Sequence, residues 1–505
     1  MSYITHFVST DILVYLATCI TLLLYLLKGF KNSALKMPPG PAPFPFIGNL
    51  NILNLKKPFQ SLMKLSEKYG EVFTVHFGPK KMVVLAGYKA VKDALVTQAD
   101  DFGERAEMPI FSKLTHGNGI VFSNGESWKV IRRFTLSTLR DFGMGKRTIE
   151  TRIQDELRPL IKLFKSHAGK PFDPKIILNS AVSNVICSII FGKRFEYNDT
   201  TFLTLLQLLN ENARLFGTPP LLLFNFYPLL GSILGAHKRV LRNTERLKHF
   251  FQNYINEHRA EFNANNITGF IDAYLLKQEQ ESSNAKTHFH DENLVYSVLD
   301  LFAAGTETSS TTLRWGFLLM MKYPEIQKKV QKEIKEVVRP GQLPKVEDRR
   351  NMPYTDAVIH EIQRFANIVP MNVSRATVRD VNFRGFLIPR GTEVIPMLTS
   401  VLYDNNHWKT PHEFNPQHFL DANGKFVQRD AFLPFSTGRR ACVGESLAKM
   451  ELFLFFTGLL QSFTLCPPAG VSGADLDLTP DIGFVLTPLP FMMCAIPNKQ
   501  TPHFP

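Results

Sequence analysis

Cysteine is scarce and scattered. The 505 residues hold five, Cys19, Cys187, Cys442, Cys466 and Cys494, with no C-x-x-C pair. That spacing excludes a disulfide framework and a cysteine-rich zinc site, and it fits a reducing compartment. No glycine-rich dinucleotide fingerprint follows a strand pattern, so the chain has no nicotinamide site of its own. Internal repeats, a flexible linker between halves and a long tail of one charge are all missing. The net charge of +13 comes from 58 basic and 45 acidic side chains spread along the sequence. Such a surface suits anionic lipid or an acidic protein; no nucleic-acid-binding motif accompanies it, and nucleic acid is not an expected partner. Tryptophan is rare, with three residues, whereas phenylalanine reaches 42 and proline 32. A large apolar interior cut by many turns follows, suited to greasy ligands.

Ile12 to Leu27 carries no charge, and with Phe7 and Val8 it approaches the roughly 20 residues that span a bilayer. Asp11 precedes it and Lys28, Lys31 and Lys36 follow, which places its C-terminal side in the cytosol. A cleaved signal peptide would carry its positive charge before the run and a small-residue cleavage site after it, and this stretch has neither. Pro38-Pro39-Gly40-Pro41, with Pro43 and Pro45, reads as a stiff extended spacer. We therefore expect a membrane anchor over 1–28, a basic and proline-rich hinge over 29–48, and one large domain over 49–505. On that topology the sequons at Asn198, Asn266 and Asn372 stay unglycosylated.

Strands are predicted over 71–77 and 82–86, joined through Gly78-Pro79, with helices at 59–69 and 89–98 on either side. Helical spacing or caps then predict helices over 128–140, 150–167, 176–191, 201–215, 237–262, 292–322, 324–338 and 355–366, with short strands in 381–397. The fold expected is a single, mainly α domain with a small β region, because the chemistry-bearing residues lie from Arg105 to Cys442 and must converge on one pocket.

Phe435-Ser436-Thr437-Gly438-Arg439-Arg440-Ala441-Cys442-Val443-Gly444 is the most informative segment. It offers one isolated thiolate with the means to hold it against haem iron. The apolar run from Val443 to Leu460 starts a helix directly after Cys442, aiming free N–H groups at the sulfur. Gly438 permits a tight turn, Gly444 clears room for a flat macrocycle, Phe435 can shield the sulfur, and Arg440 can reach a haem propionate.

Ala304-Gly305-Thr306-Glu307-Thr308 lies inside the longest helical pattern. Gly305 and the hydroxyl-rich run after it weaken a helix, and a locally opened turn there would expose an acid and an alcohol, Glu307 and Thr308. Glu361 and Arg364 lie three apart on one helix face, the spacing of an ion pair, usually a surface one. His418, in the turn Asn415-Pro416-Gln417-His418-Phe419, can join them and fix the loop before Cys442. Trp128 and Arg132 are one helical turn apart, where indole and guanidinium can share a propionate or simply pair a core ring with a solvated basic face.

Taken in order, these features resemble the cytochrome P-450 superfamily of haem-thiolate monooxygenases over the full chain. Finer matches, the Phe191-Gly192-Lys193-Arg194-Phe195 segment and the Pro-Pro-Gly-Pro hinge, resemble the vertebrate microsomal family two. His418 departs from the arginine usual in the superfamily, a trait shared with family two. The resemblance implies haem b with Cys442 as axial thiolate. It implies propionate contacts from Trp128, Arg132, Arg105, Arg375 and Arg440, and an oxygen-activation motif at Ala304 to Thr308 whose Glu307 and Thr308 relay protons. Electrons would come from NADPH through cytochrome P-450 reductase, with cytochrome b5 as a further partner, docking on Lys129, Arg133, Arg439 and Lys449. The location implied is the endoplasmic reticulum membrane, catalytic domain facing the cytosol. By the same resemblance the substrate pocket takes Ile110, Phe111, Phe122, Asp300, Phe302, Pro370, Met371, Val373 and Phe484. Fatty acids, steroids and foreign aromatic compounds all remain open as substrates. The apolar stretch Leu221 to Leu230, with Phe224, Phe226 and Tyr227, is expected to dip into the membrane surface. A haem-thiolate peroxide isomerase is the competing activity, and it would need no proton relay. A haem-binding sensor or carrier would need no oxygen motif either.

Overall fold

The computed structural model describes residues 12, 14–20, 37–143 and 147–498. Most of the expected anchor lies outside them; among the described residues no helix is long and apolar enough to cross a membrane. Residues 37–48 of the hinge are described, and they are not a free spacer. Thr74 donates through N–H to Pro39 O (2.8 Å) and through Oγ1 to Pro38 O (2.8 Å). A Cβ on Gly40 would stand 1.9 Å from Thr74 O, so glycine alone permits this close docking.

Strands β1 (Val72–Phe77) and β2 (Lys80–Leu85) form the expected hairpin, turning at Gly78 with φ 62°. Three strands extend it: β3 (Glu104–Arg105), β4 (Arg375–Ala376) and β5 (Glu393–Pro396), in spatial order β1-β2-β5-β4-β3. β2 runs parallel to β5, whereas β4 is antiparallel to both of its neighbours. The register sets Arg105 opposite Arg375, so residues 270 positions apart share one strand pair.

The helices that position the site are α1 (Gly125–Asp141), α2 (Arg147–Ser166), α3 (Lys175–Ile190), α4 (Thr200–Leu215), α5 (Ala236–Ala260), α6 (Asp291–Lys322), α7 (Pro324–Val337), α8 (Pro353–Ala366) and α9 (Glu445–Ser462). α6 begins where the His290 ring accepts the Asn293 N–H (3.3 Å), carries Asp291 and Glu292 in its first turn, and stops before Pro324. Its 32 residues run through the middle of the domain, with Phe317, Leu318 and Leu319 buried in succession. α9 is equally enclosed, with Leu452 to Phe456 all buried, as a helix apolar on every side must be. α3 and α6 touch closely: a Cβ on Gly305 would lie 2.6 Å from Ile186 Cδ1, and the Ser183 and Thr306 hydroxyls bond at 2.8 Å.

Two expectations need correction. Residues 89–98 are not one helix but a short one, Tyr88–Lys92, followed by a wide π turn, Asp93–Thr97. The apolar stretch 221–230 divides between two helices, Pro219–Phe226 and Pro228–Leu234. Leu221 and Phe224 are fully buried, with Phe224 stacked on His237 at 4.4 Å. Phe226 packs on Phe77 and so turns inward, whereas Tyr227 bonds Phe46 O at the surface. Leu229 and Ile233, 88% and 80% exposed, point out instead.

Candidate active site

A cavity of about 420 Å³ lies between α6, α9 and the aromatic residues Phe111, Phe122 and Phe484, and Cys442, Ala304, Glu307 and Thr308 all line it. Cys442 keeps exposed surface, and it lines this cavity. Its amide donates to Phe435 O (3.0 Å), closing the loop, and α9 starts three residues later at Glu445. Burial pushes the thiol up; the Gly444 N–H pulls it down, Glu445 raises it and Arg132 lowers it. The Gly444 N–H at the helix start and Arg132 thus oppose the burial that disfavours the thiolate. Cys187, Cys466 and Cys494 do not line the cavity; Cys187 is buried in the core and Cys466 Sγ lies 3.9 Å from Cys494 O.

Gly438 has φ 76°, and a Cβ there would meet Leu95 O at 1.8 Å, so the π turn 93–97 leaves room for glycine only. Gly444 differs. A Cβ on it would meet no protein atom within 4 Å, and it lines the cavity, so its reason lies in the space and not in the packing. Phe435 also lines the cavity, with Lys449 Nζ 5.7 Å from its ring. Asn372, one of the sequons, donates to Ser436 Oγ (2.8 Å) and so braces the same loop.

Four guanidiniums gather beside this loop. Arg105 donates to Val121 O and Val373 O (3.0 Å each), and Arg132 to Ala441 O (2.6 Å). Arg440 donates to Gly103 O (2.9 Å) and Asn124 Oδ1 (2.8 Å) while lying 3.6 Å above the Trp128 ring. Burial first, and then their mutual repulsion, press Arg105 to about 9 and Arg440 to about 8, with Arg375 lowered too. Arg375 Nε and Nη1, Arg440 Nη1 and Trp128 Nε1 are buried without a hydrogen-bond partner. An unpaired cluster of this kind is costly unless an anion enters it. The two propionates of a haem meet that need, so the residues present fit the group.

α6 is continuous through 304–308; the expected opening is not formed. The hydroxyls bond back to the preceding turn instead, Thr308 to Ala304 O (2.8 Å), Ser310 to Thr306 O (2.7 Å) and Thr312 to Thr308 O (2.8 Å). Glu307 is nearly buried and its carboxyl is raised by that burial, against the pull of Lys175, Arg314 and Thr311. Its Oε2 has no partner.

Glu361 and Arg364 are wholly buried, not a surface pair. Arg364 uses five N–H bonds: two to the Glu361 carboxylate (2.7 Å each) and one each to the carbonyls of Leu402 (2.9 Å), Pro411 (2.7 Å) and Glu413 (2.9 Å). His418 Nδ1 joins at 3.2 Å from both Glu361 oxygens. The triad thus ties α8 to the chain that leads into the Cys442 loop.

Of the expected pocket residues, Phe111, Phe122, Asp300, Val373 and Phe484 line the cavity. Phe111 stacks on Phe122 at 3.5 Å and meets Phe216 at 5.0 Å. Asp300 is a clamp: its Oδ2 accepts the Ile120 and Val121 amides (2.7 and 2.9 Å), which leaves little of it for a substrate. Burial raises it to about 6, against those two bonds. Four expected residues do not line the cavity. Ile110 is buried behind it, and Phe302 packs on Phe251 at 5.2 Å. Pro370 O is taken up by Thr399, and Met371 packs against the sheet. Leu209 and Phe216, Leu247 and Val485 line it without having been expected. Leu209 and Leu247 lie on helices with apolar faces in sequence, but a face does not say which cavity it meets.

A lone thiol at the start of a buried helix, an acid and an alcohol across the cavity, and an unpaired arginine cluster define a haem-thiolate enzyme site. The family model for cytochrome P450 matches residues 38–495, and this chain belongs to that family. Its cofactor is haem with a cysteine thiolate as axial ligand, and its class is monooxygenase oxidoreductase. The chain is 51% identical to cytochrome P450 2K1 of Oncorhynchus mykiss over 486 residues, 95% of this chain and 96% of that one. It is 48% identical to cytochrome P450 2F2 of Rattus norvegicus over 489 residues, 96% and 99% of the two chains.

Proposed function

We propose that this chain inserts one atom of dioxygen into a lipophilic small molecule, a fatty acid, a steroid or a foreign aromatic compound, with Cys442 as the axial ligand. When bound, haem supplies dioxygen activation, helped by electron density from the thiolate. Arg105, Arg132, Arg375, Arg440 and Trp128 would hold its propionates, and Gly444 would leave room for the ring. Burial favours the protonated form of the Glu307 carboxyl, and Thr308 Oγ1 passes a proton into the cavity from the neighbouring position on α6. Phe111, Phe122 and Phe484 exclude water and orient an apolar substrate through contact area. The observation that supports this reading best is that the thiol of Cys442, the acid Glu307 and the alcohol Thr308 line a single cavity.

Electrons come from NADPH through the flavoprotein reductase, with cytochrome b5 as a second donor. Of the docking residues, Lys129 pairs with Glu126, Arg439 with Asp100 and Lys449 with Glu445, while Arg133 is exposed. Residues 1–28 anchor the chain in the endoplasmic reticulum membrane, 29–48 join the anchor to the catalytic domain at 49–505, and that domain faces the cytosol. Thr308→Ala tests the reading: haem content and NADPH consumption should persist while product per NADPH falls and hydrogen peroxide rises. Proton delivery contributes about 10²–10⁴-fold, so the loss of coupling should be large. A peroxide isomerase would form no NADPH-dependent product, and the substitution would leave turnover of an added lipid hydroperoxide unchanged.

A further inference from the structure

Glu451 is an acid that the proposed chemistry leaves unused. It lies in the second turn of α9, is 1% exposed, and lines the same cavity as Cys442 and Thr308. Its Oε1 has no hydrogen-bond partner. Burial pushes it up to about 8, and the group that resists the shift is the Ser309 hydroxyl on α6. Charged groups on the packed elements, Glu156 on α2, Glu307 and Arg314 on α6, Glu333 on α7, and Glu361 with Arg364 on α8, are not among the causes of its shift. Neither are the charged groups of the 346–351 turn. On α9 itself Glu445 and Lys449 pair with each other at 2.6 Å. A carboxyl so placed is protonated at neutral pH. A merely structural residue here has no need of an acid, since its neighbours Met450, Leu452, Phe453 and Leu454 are buried apolar groups.

Ser309 is next in sequence to Thr308, and Thr312 bonds the Thr308 carbonyl at 2.8 Å. Glu307 presents its own unpartnered Oε2 on the same stretch of α6. Two acids, each with a free buried oxygen, thus flank the Thr308 turn, one from α6 and one from α9. We infer that Glu451 is a second proton-holding group of this cavity, a positioning residue that supplies the Thr308 turn through Ser309. This rests on the monooxygenase reading. One proton passes from the Glu451 carboxyl to Ser309 Oγ as the proton already on that hydroxyl moves into the cavity. The carboxylate left behind takes one proton from water, so the relay returns to its starting state.

The test compares wild-type holoenzyme with Glu451→Gln and Ser309→Ala. Haem content and the carbonyl spectrum should stay as in wild type, while product per NADPH falls in both variants, by less than the roughly 10²–10⁴-fold that a whole proton-delivery step contributes. Coupling in wild type should decline as pH rises through about 8, where the acid loses its proton, and Glu451→Gln should lose that dependence. Infrared difference spectra between about pH 7 and about pH 9 give a readout independent of turnover: wild type loses a protonated-carboxyl band that Glu451→Gln lacks. Wild-type coupling with an unchanged pH profile in Glu451→Gln, or the same band lost in both proteins, would overturn the inference. If Glu451→Gln fails to hold haem, Ser309→Ala decides alone, because it leaves the acid in place and cuts its link; normal coupling there overturns the inference. A protein with no NADPH-dependent product in any form would refute the monooxygenase reading instead, while the infrared band would still report on Glu451.

Discussion

Arg364 and Arg375 are both buried, yet their donors end in opposite places. Arg364 has a carboxylate and three carbonyls around it and wastes no N–H. Arg375 has two orphaned nitrogens and three other guanidiniums pressing on its charge. The first arrangement is complete as protein. The second is complete only with a foreign anion, and it stands beside the loop of Cys442. Burial alone therefore does not separate structure from function here, whereas the hydrogen-bond census of the buried charge does.

That contrast can be broken at its complete end first. Glu361→Ala strands the Arg364 charge and Arg364→Ala strands the carboxylate, so each should cost about 3–5 kcal/mol in chemical unfolding and lower haem incorporation. Unfolding midpoints equal to wild type would show that the pair does not hold the loop. Asp300 is the intermediate case, an acid satisfied by two amides but still raised to about 6 from 3.8. Because the fold disfavours its charge, its contribution is intact below the unfolded value and is lost as pH rises through about 6. Asp300→Asn should remove at most about 3 kcal/mol of that pH dependence, seen as the difference between the stability profiles of variant and wild type. Parallel profiles would contradict it. At the incomplete end, Arg375→Ala should lower haem affinity by about 1.5–3 kcal/mol, or roughly ten- to a hundredfold, read as faster haem transfer to a competing apoprotein. The same change relieves repulsion, so the haem-free protein should be no less stable. Destabilisation of both forms alike would make Arg375 an ordinary core residue.

Much of this was legible in the residues. The lone Cys442 between Gly438 and Gly444, the helix after it and the hairpin through Gly78-Pro79 are local patterns, and local geometry follows from them. Long-range consequences were not. Nothing in the sequence says that Arg105 will stand opposite Arg375, or that the Glu361–Arg364 pair will be sealed under 402–413. The α6 hydroxyls could open their helix or bond back to it, and only the packing of α3 against Gly305 and Thr306 shows which occurs. Leu221 to Leu230 reads as one greasy segment because the turn at Tyr227 and Pro228, which sends Phe224 inward and Leu229 outward, leaves no mark in hydrophobicity. Glu451 was passed over for a similar reason: an acid in an apolar helix is visible, but the cavity it lines is not.

The reduced carbonyl spectrum of Cys442→Ser is the most direct test of the central claim, that this one thiol is the ligand of a haem-thiolate enzyme. Wild type should show the red-shifted Soret band of thiolate ligation, Cys442→Ser should lose it, and Cys187→Ser and Cys466→Ser should keep it. A band that survives in Cys442→Ser and disappears in either of the others would contradict the account.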